Sequence, residues 1–331
     1  MKYSGPTIFE LGEIEALKRA VASFKSVSTT LVPSGDDAAV VQVTDGRFVV
    51  TTDTMVENHD FRTDLSSGFD LGFKAVASNV ADVAAMGARP IALVVAMVGT
   101  KDTTQAWLED FARGLQSAID DLAPACEVVG GDLAAGEEIV IAVSAHGHLE
   151  GGEPVLRSGA KPGDVLAIAG TLGRAACGLD LLLHEDKTLA DSYPEWVDVQ
   201  LRPRPPIGWA IGAAASASSM LDVSDGLSLD ATRIAKASEV SIILHSQKLQ
   251  GHEAVLELAA QSLTSRGGRI YSERDWVLHG GEDHSFLATF PAGMKLPEGF
   301  RAIGEVVEKR EKAVYLDAEE LVSKGWDSVS S

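Results

Sequence analysis

Strand and helix signals alternate along this chain from about residue 38, running β-β-α-β-α-β-β as far as residue 148, and then restart after a glycine-rich link. That order commits the chain to sheets layered with helices. Val-rich runs at 38–43 and 47–52 read as strands, and Asp45-Gly46 between them is a strong two-residue hairpin signal. A helix is predicted over 71–86, with Asp70 as its N-cap, Gly87 just past its end and Pro90 beyond. The apolar run 90–98 reads as a buried strand, 103–122 as an amphipathic helix, and 126–129 and 139–148 as further strands. After LEGGEPV (149–155), strands are expected at 164–169, 220–223, 240–245, 284–290 and 301–307, with helices at 172–183, 227–237 and 253–265. The expectation is two α+β or α/β domains, 1–148 and 149–331, which suits a length of 331 residues.

Charge and apolar patterning exclude several classes. The longest purely apolar stretch, 91–98, is eight residues, against about 20 needed to span a bilayer. The first twenty residues lack the apolar core of a signal peptide. Cys126 and Cys177 sit in apolar surroundings, which fits buried thiols in a reducing compartment, so the cytoplasm is expected. Twenty-eight basic residues stand against 48 acidic ones, a formal charge of −20, with no Lys/Arg cluster of the kind a nucleic-acid face needs. Such acidity either solubilises the surface or holds divalent metal.

The acids have positions that favour the second use. If Asp45-Gly46 is a two-residue turn, Ala38 faces Asp53 and Asp37 faces Thr54, so residues 35–37 and 51–53 meet at one end of the ladder. Opposed positions lie about 5 Å apart. Like charges that close need a cation between them, or else the segment is simply a polar hairpin base. Magnesium suits hard oxygen ligands, and the hydroxyls or carbonyls of Thr51 and Thr52 could join Asp36 and Asp53. Asp82 lies within an apolar helix with Asn79 on the same face; Asp132 follows Gly130-Gly131, a turn permitting close approach to phosphate; Asp222 and Asp225 leave a strand and open a helix. GTLGRAACG (170–178) joins strand to helix and reads either as an anion-binding helix start or as tight packing. The chain contains no Walker loop, nucleophile elbow or catalytic-thiol context.

Taken in order, GDDAAV (35–40), TTDTMVE (51–57), NVADVAAMGARP (79–90), GGD (130–132), RSGAKPGD (157–164), DVSDGL (222–227) and GGED (280–283) resemble the thiamine-monophosphate kinase family, within the aminoimidazole-ribonucleotide-synthetase-like superfamily of ATP-using enzymes. The resemblance runs from about residue 30 to 326. It implies that Asp36, Thr51, Thr52, Asp53, Asp82, Asp132, Asp222 and Asp225 hold several Mg²⁺ ions around the ATP phosphates, and that Gly131, Asp132, Arg157 and Ser224 contact ATP. Glu282 and Trp326, the latter in a KGWD ending, would contact the thiamine moiety of thiamine monophosphate. The implied architecture is an N-terminal domain whose strands pair across a homodimer and a C-terminal α/β domain closing over the nucleotide.

Two departures from the family pattern stand out. Where the family carries a substrate-contacting His before Phe, Asn58-His59-Asp60-Phe61 puts Asp60, so either His59 or Asp60 takes that contact. His284 and Ser285 follow GGED in place of the commoner Tyr-Glu. Rival readings are another ATP-using member of the superfamily, such as aminoimidazole ribonucleotide synthetase, or a non-catalytic nucleotide- or metal-binding protein. The selenophosphate-synthetase and hydrogenase-maturation branches need an early or a C-terminal Cys, and here the first cysteine is Cys126 and the chain ends DSVSS.

Overall fold

A computed structural model describes residues 5–25, 28–32, 40–43, 46–267 and 269–325, without the side chains at 13, 14, 32 and 40. The chain divides into two compact units, one of residues 1–83 with 88–151 and one of residues 84–87 with 152–331.

The first unit contains α1 (Ile8–Leu11), α2 (Glu13–Ala20), β1 (Thr30–Val32), β2 (Val40–Val41), β3 (Val49–Val56), α3 (Gly68–Ala85), β4 (Arg89–Gly99), α4 (Gln105–Leu122), β5 (Glu127–Ala135) and β6 (Val140–His148). Its main sheet has the order β3-β6-β4-β5. Only β4 and β5 run parallel. Helix α3 is apolar nearly all round, and Leu71, Val76, Val80, Ala81 and Val83 are wholly buried, as expected of a helix covered on every side. Glycines let it touch α4: a Cβ on Gly72 would stand 2.1 Å from Phe111 O, and one on Gly114 2.1 Å from Phe69 O. Ser67 rather than Asp70 caps α3. Asp70 instead sits in the first turn and accepts from Ser67 N at 2.9 Å and from Ser67 Oγ at 2.5 Å, while its own N–H donates to Ser67 Oγ at 3.2 Å, a capping box.

One sequence expectation fails here. Val40–Val41 does not pair with the strand after the 45–46 turn but lies antiparallel to Thr30–Val32, and β3 pairs with β6. Asp53 faces Val143, and Ala38, its expected partner, lies outside the described residues. A local turn signal proposes a partner, but burial of a whole strand face decides between partners. Asp36, Asp37 and the turn residues 44–45 lie outside the described residues.

The second unit contains β7 (Val165–Ala169), α5 (Arg174–Leu183), α6 (Thr188–Ser192), α7 (Pro194–Leu201), α8 (Ile207–Ala213), β8 (Ser219–Val223), α9 (Leu227–Ser238), β9 (Ser241–Leu244), α10 (Ser246–Ala254), α11 (Glu257–Arg266), α12 (Glu273–His279), β10 (Ser285–Phe290), β11 (Phe300–Val307), β12 (Val314–Leu316) and β13 (Glu319–Glu320). Its sheet runs β13-β12-β9-β11-β7-β10-β8, with only β9 and β12 parallel. The single helix expected at 253–265 is two, divided at Val255–Leu256. One core cluster joins Leu166, Leu181, Leu221, Ile234, Leu244 and Leu287. Both cysteines are free and buried. Desolvation pushes the Cys126 thiol up to about 12 and also raises Cys177. Among the described residues no helix is long and apolar enough to cross a membrane.

Candidate functional site

The two units each carry part of the acidic set. In the first, Thr51 and Asp53 point to the half-buried face of β3, and Thr51 Oγ1 donates to Asp82 Oδ2 at 2.8 Å. Asp82 thus leaves the α3 interior to meet β3, which accounts for an acid in an otherwise apolar helix. Side chains alternate across a strand, so Thr52 lies on the opposite face. There its hydroxyl donates to Val143 O at 2.9 Å and accepts from Ser144 Oγ at 3.2 Å.

Asp132 also departs from expectation. Strand β5 does not stop at Val129 but runs through Gly130-Gly131-Asp132 to Ala135. Register puts Asp53 in one row with Val143, Val95 and Gly131, and Asp132 in the next row with Ala96, Ala142 and Thr54. The Asp53 and Asp132 side chains therefore project from opposite faces of the sheet. Glycine at 131 is required by β4, since a Cβ there would stand 2.1 Å from Val95 O.

At the end of β3, Asp60 Oδ2 accepts from Val56 N at 2.8 Å and Oδ1 lies 3.0 Å from His59 Nδ1. Asp60 is thus occupied in shaping the turn, and His59 is the exposed member of the pair. Sequence reading missed a cavity of about 1000 Å³ next to this turn, lined by Glu57, Leu65, Lys101, Trp107 and Ile139 among others. It is assembled from segments far apart in sequence, so no local motif marks it.

In the second unit the ends of β7 and β8 and the start of β10 converge. Asp222, the fourth residue of β8, is 5% exposed and its Oδ2 lies 3.0 Å from Nδ1 of His284, itself 6% exposed. Ser224 O accepts from Glu282 N at 2.8 Å, and Gln200 Nε2 donates to Glu282 Oε2 at 2.7 Å. Asp225 accepts from Arg233 Nη2 at 2.5 Å, and Arg233 Nη1 reaches Asp230 Oδ1 at 2.5 Å. The segment 282–284 is tightly constrained, with left-handed φ values of +65° at Glu282 and +49° at His284. Between them Asp283 accepts from Thr171 Oγ1 at 2.6 Å, Arg174 N at 3.3 Å and Ala175 N at 3.2 Å. The start of α5, an anion site in one sequence reading, is therefore filled by the protein's own Asp283.

Lys324 O accepts from Ser228 Oγ at 2.8 Å, and a Cβ on Gly325 would stand 2.2 Å from Asp225 O. The KG of the C-terminal KGWD is thus fixed beside the DVSDGL loop, and Trp326 itself lies outside the described residues. Arg157 does not join this cluster. Its carbonyl accepts from Ser238 at the C-terminal end of α9 at 2.8 Å. Ser224 precedes the N-terminal end of that 12-residue helix, about 18 Å away at 1.5 Å per residue.

Asp230, overlooked in the sequence because it reads as an ordinary helix position, is fully buried. Burial, helped by the charges of Asp222 and Asp225 and opposed by Arg233, pushes its carboxyl from 3.8 up to about 7. Below about pH 4 the group is protonated folded or unfolded, between 4 and 7 only the folded protein holds the proton, and above 7 the buried carboxylate is charged. The stabilisation is therefore lost as pH rises through that window, by up to about 4 kcal/mol. Urea unfolding in EDTA should show Asp230→Asn gaining on the wild type between pH 5 and pH 8. An equal gap at both values would refute the assignment.

Among the described residues no three His, Cys, Asp or Glu side chains are grouped to hold a metal ion by themselves. The candidate donors are nonetheless all carboxylate, hydroxyl or carbonyl oxygens, which fit a hard cation that completes its shell with water and substrate phosphate.

Residues 35–149 match the family model described as AIR synthase related protein, N-terminal domain. A thiamine-monophosphate kinase of Mycobacterium tuberculosis is 40% identical, covering 98% of this chain and 93% of its own length. Among solved structures, the thiamine-monophosphate kinase of Stenotrophomonas maltophilia superposes with a TM-score of 0.75 at 29% identity, covering 92% of this chain and 95% of that one. A structure described as AaThiL complexed with AMPPCP and TMP gives a TM-score of 0.73 at 30% identity, covering 98% and 99%.

Proposed function

The chain belongs to the thiamine-monophosphate kinase family, and on that premise we propose that it transfers the ATP γ-phosphoryl group directly onto thiamine monophosphate, giving thiamine diphosphate and ADP. The observation that carries this reading is 40% identity extending over 98% of the chain. The seven motifs fall in the family's order along the chain, which agrees with it.

The attacking group is a phosphate oxygen, already a competent nucleophile, so no general base is required. Positioning and charge compensation carry phosphoryl transfer. Mg²⁺, when bound, supplies the positive charge that lets two anionic substrates approach. In this chain Asp36, Asp53, Asp82, Asp132, Asp222 and Asp225, with the Thr51 hydroxyl and the Thr52 carbonyl, would hold it. Gly131, Asp132, Arg157 and Ser224 are assigned to ATP; His59, Glu282 and Trp326 are assigned to thiamine monophosphate, and Asp60 supports His59. ATP chemistry is placed in domain 1–148, with 149–331 contributing the DVSDGL and GGED loops. The separation of Arg157 from Ser224 is accommodated if one of them serves a site completed by a second copy, so a homodimer is part of the proposal. An eight-residue edge strand, β3, with Val50 59% exposed, supports pairing between copies. Two free buried thiols support a cytoplasmic location.

The test is one incubation of purified protein with ATP, Mg²⁺ and thiamine monophosphate, with products separated by mass spectrometry. A metal-dependent thiamine diphosphate peak matched by ADP is expected. ADP formed only with a different acceptor would remove the substrate assignment.

A further inference from the structure

Among the described residues of the acidic set Asp222 is the most completely enclosed, and beside it stands a histidine in an unfavourable backbone conformation. His284 has φ +49°, and its main chain is fixed by N–H donation to Val223 O at 3.1 Å. That conformation is unfavourable for a non-glycine residue and persists where the surroundings over-determine it. Here they do, because the neighbouring Asp283 is locked into the start of α5 and Ser285 Oγ accepts from Thr171 N at 2.7 Å. The result is that Nδ1 of His284 meets Asp222 Oδ2 at 3.0 Å with both side chains nearly inaccessible.

We propose that His284 is a positioning residue for the cation at Asp222: it clamps Oδ2 by donating from Nδ1, so that Oδ1 is presented in one fixed direction. A carboxylate ligand held by an outer hydrogen bond binds metal more tightly than one free to rotate, because the bond has already taken the rotamer entropy. Among the described residues Oδ1 of Asp222 takes no protein hydrogen bond. An ionised carboxylate only accepts, so the proton of this pair sits on Nδ1 of the imidazole. This inference rests on the proposed kinase reading for the identity of the cation but not for its test.

The test compares His284→Asn and His284→Leu by calorimetric titration of the full-length protein with Mg²⁺ in the presence of a non-hydrolysable ATP analogue, without acceptor. Asparagine places an amide N–H donor where Nδ1 stands and tolerates positive φ, so its Mg²⁺ affinity should stay within about threefold of wild type. Leucine removes the donor and should weaken Mg²⁺ binding about 10-fold or more. In turnover, the Mg²⁺ concentration for half-maximal rate should rise with the leucine variant while KM for thiamine monophosphate stays constant. Should His284→Leu fail to fold, His284→Gln, whose amide reaches one carbon further, takes its place and should also weaken binding. Asparagine and leucine (or glutamine) variants with equal affinities would overturn the proposal. A wild type that binds Mg²⁺ and discriminates between the variants, yet makes no thiamine diphosphate, would overturn the kinase reading and leave this one standing.

Discussion

Replacing Asp53 by Asn is expected to lower kcat at saturating substrates by at least about 100-fold, the scale at which one preorganised electrostatic contact is lost from a transition state. Asp132→Asn should cost as much. Both changes keep side-chain size and remove one negative charge from a site that must gather cations around two phosphate-bearing substrates. Glu282→Gln should behave differently, raising KM for thiamine monophosphate with kcat held within about fivefold, because the Glu282 main-chain N–H still donates to the Ser224 carbonyl and the new amide oxygen can still accept from Gln200. The register adds a second expectation. Asp53 and Asp132 leave the sheet on opposite faces, so they do not share one ion within the unit, and the two substitutions should alter the Mg²⁺ dependence separately. Steady-state kinetics across a Mg²⁺ series reads all three variants. Losses of equal size and kind in Asp53→Asn, Asp132→Asn and Glu282→Gln would defeat this division of roles.

The second large effect is structural. Gly226 has φ +113°, and a Cβ there would stand 2.5 Å from His279 O. Alanine meets both a backbone region closed to it and a main-chain atom that belongs to a neighbouring segment. Gly226→Ala should therefore destabilise the second unit by about 3 kcal/mol and displace the DVSDGL loop, with activity lost alongside. Gly212, in α8 with open space around its missing Cβ, provides the comparison. Gly212→Ala should be neutral or stabilising by up to about 1 kcal/mol. Urea unfolding of the two variants settles the matter, and a Gly226→Ala protein within about 1 kcal/mol of wild type would contradict the account.

These outcomes separate what lies in the sequence from what does not. Helix α4 and the strands at 139–148 and 284–290 were legible because apolar period and turn chemistry act over a few residues. The seven ordered motifs were legible for the same reason, and they identify the family without reference to any fold.

The pairing of β3 was not legible, because Asp45-Gly46 marks a partner nearby whereas the strand it pairs with, β6, lies some 90 residues on. One consequence is that Thr51 and Thr52, adjacent in the chain and equal in the motif, have separate fates: one meets Asp82, the other turns to Val143. Asp283 filling the start of α5, and His284 holding Asp222, depend on residues 62 to 112 positions apart. The sequence by itself determined most of the longer elements, which family the chain resembles and which acids are candidates. Only the tertiary structure decided which face each acid occupies and what stands behind it, because those depend on long-range burial, and no periodicity within a strand or helix encodes the identity of a distant neighbour.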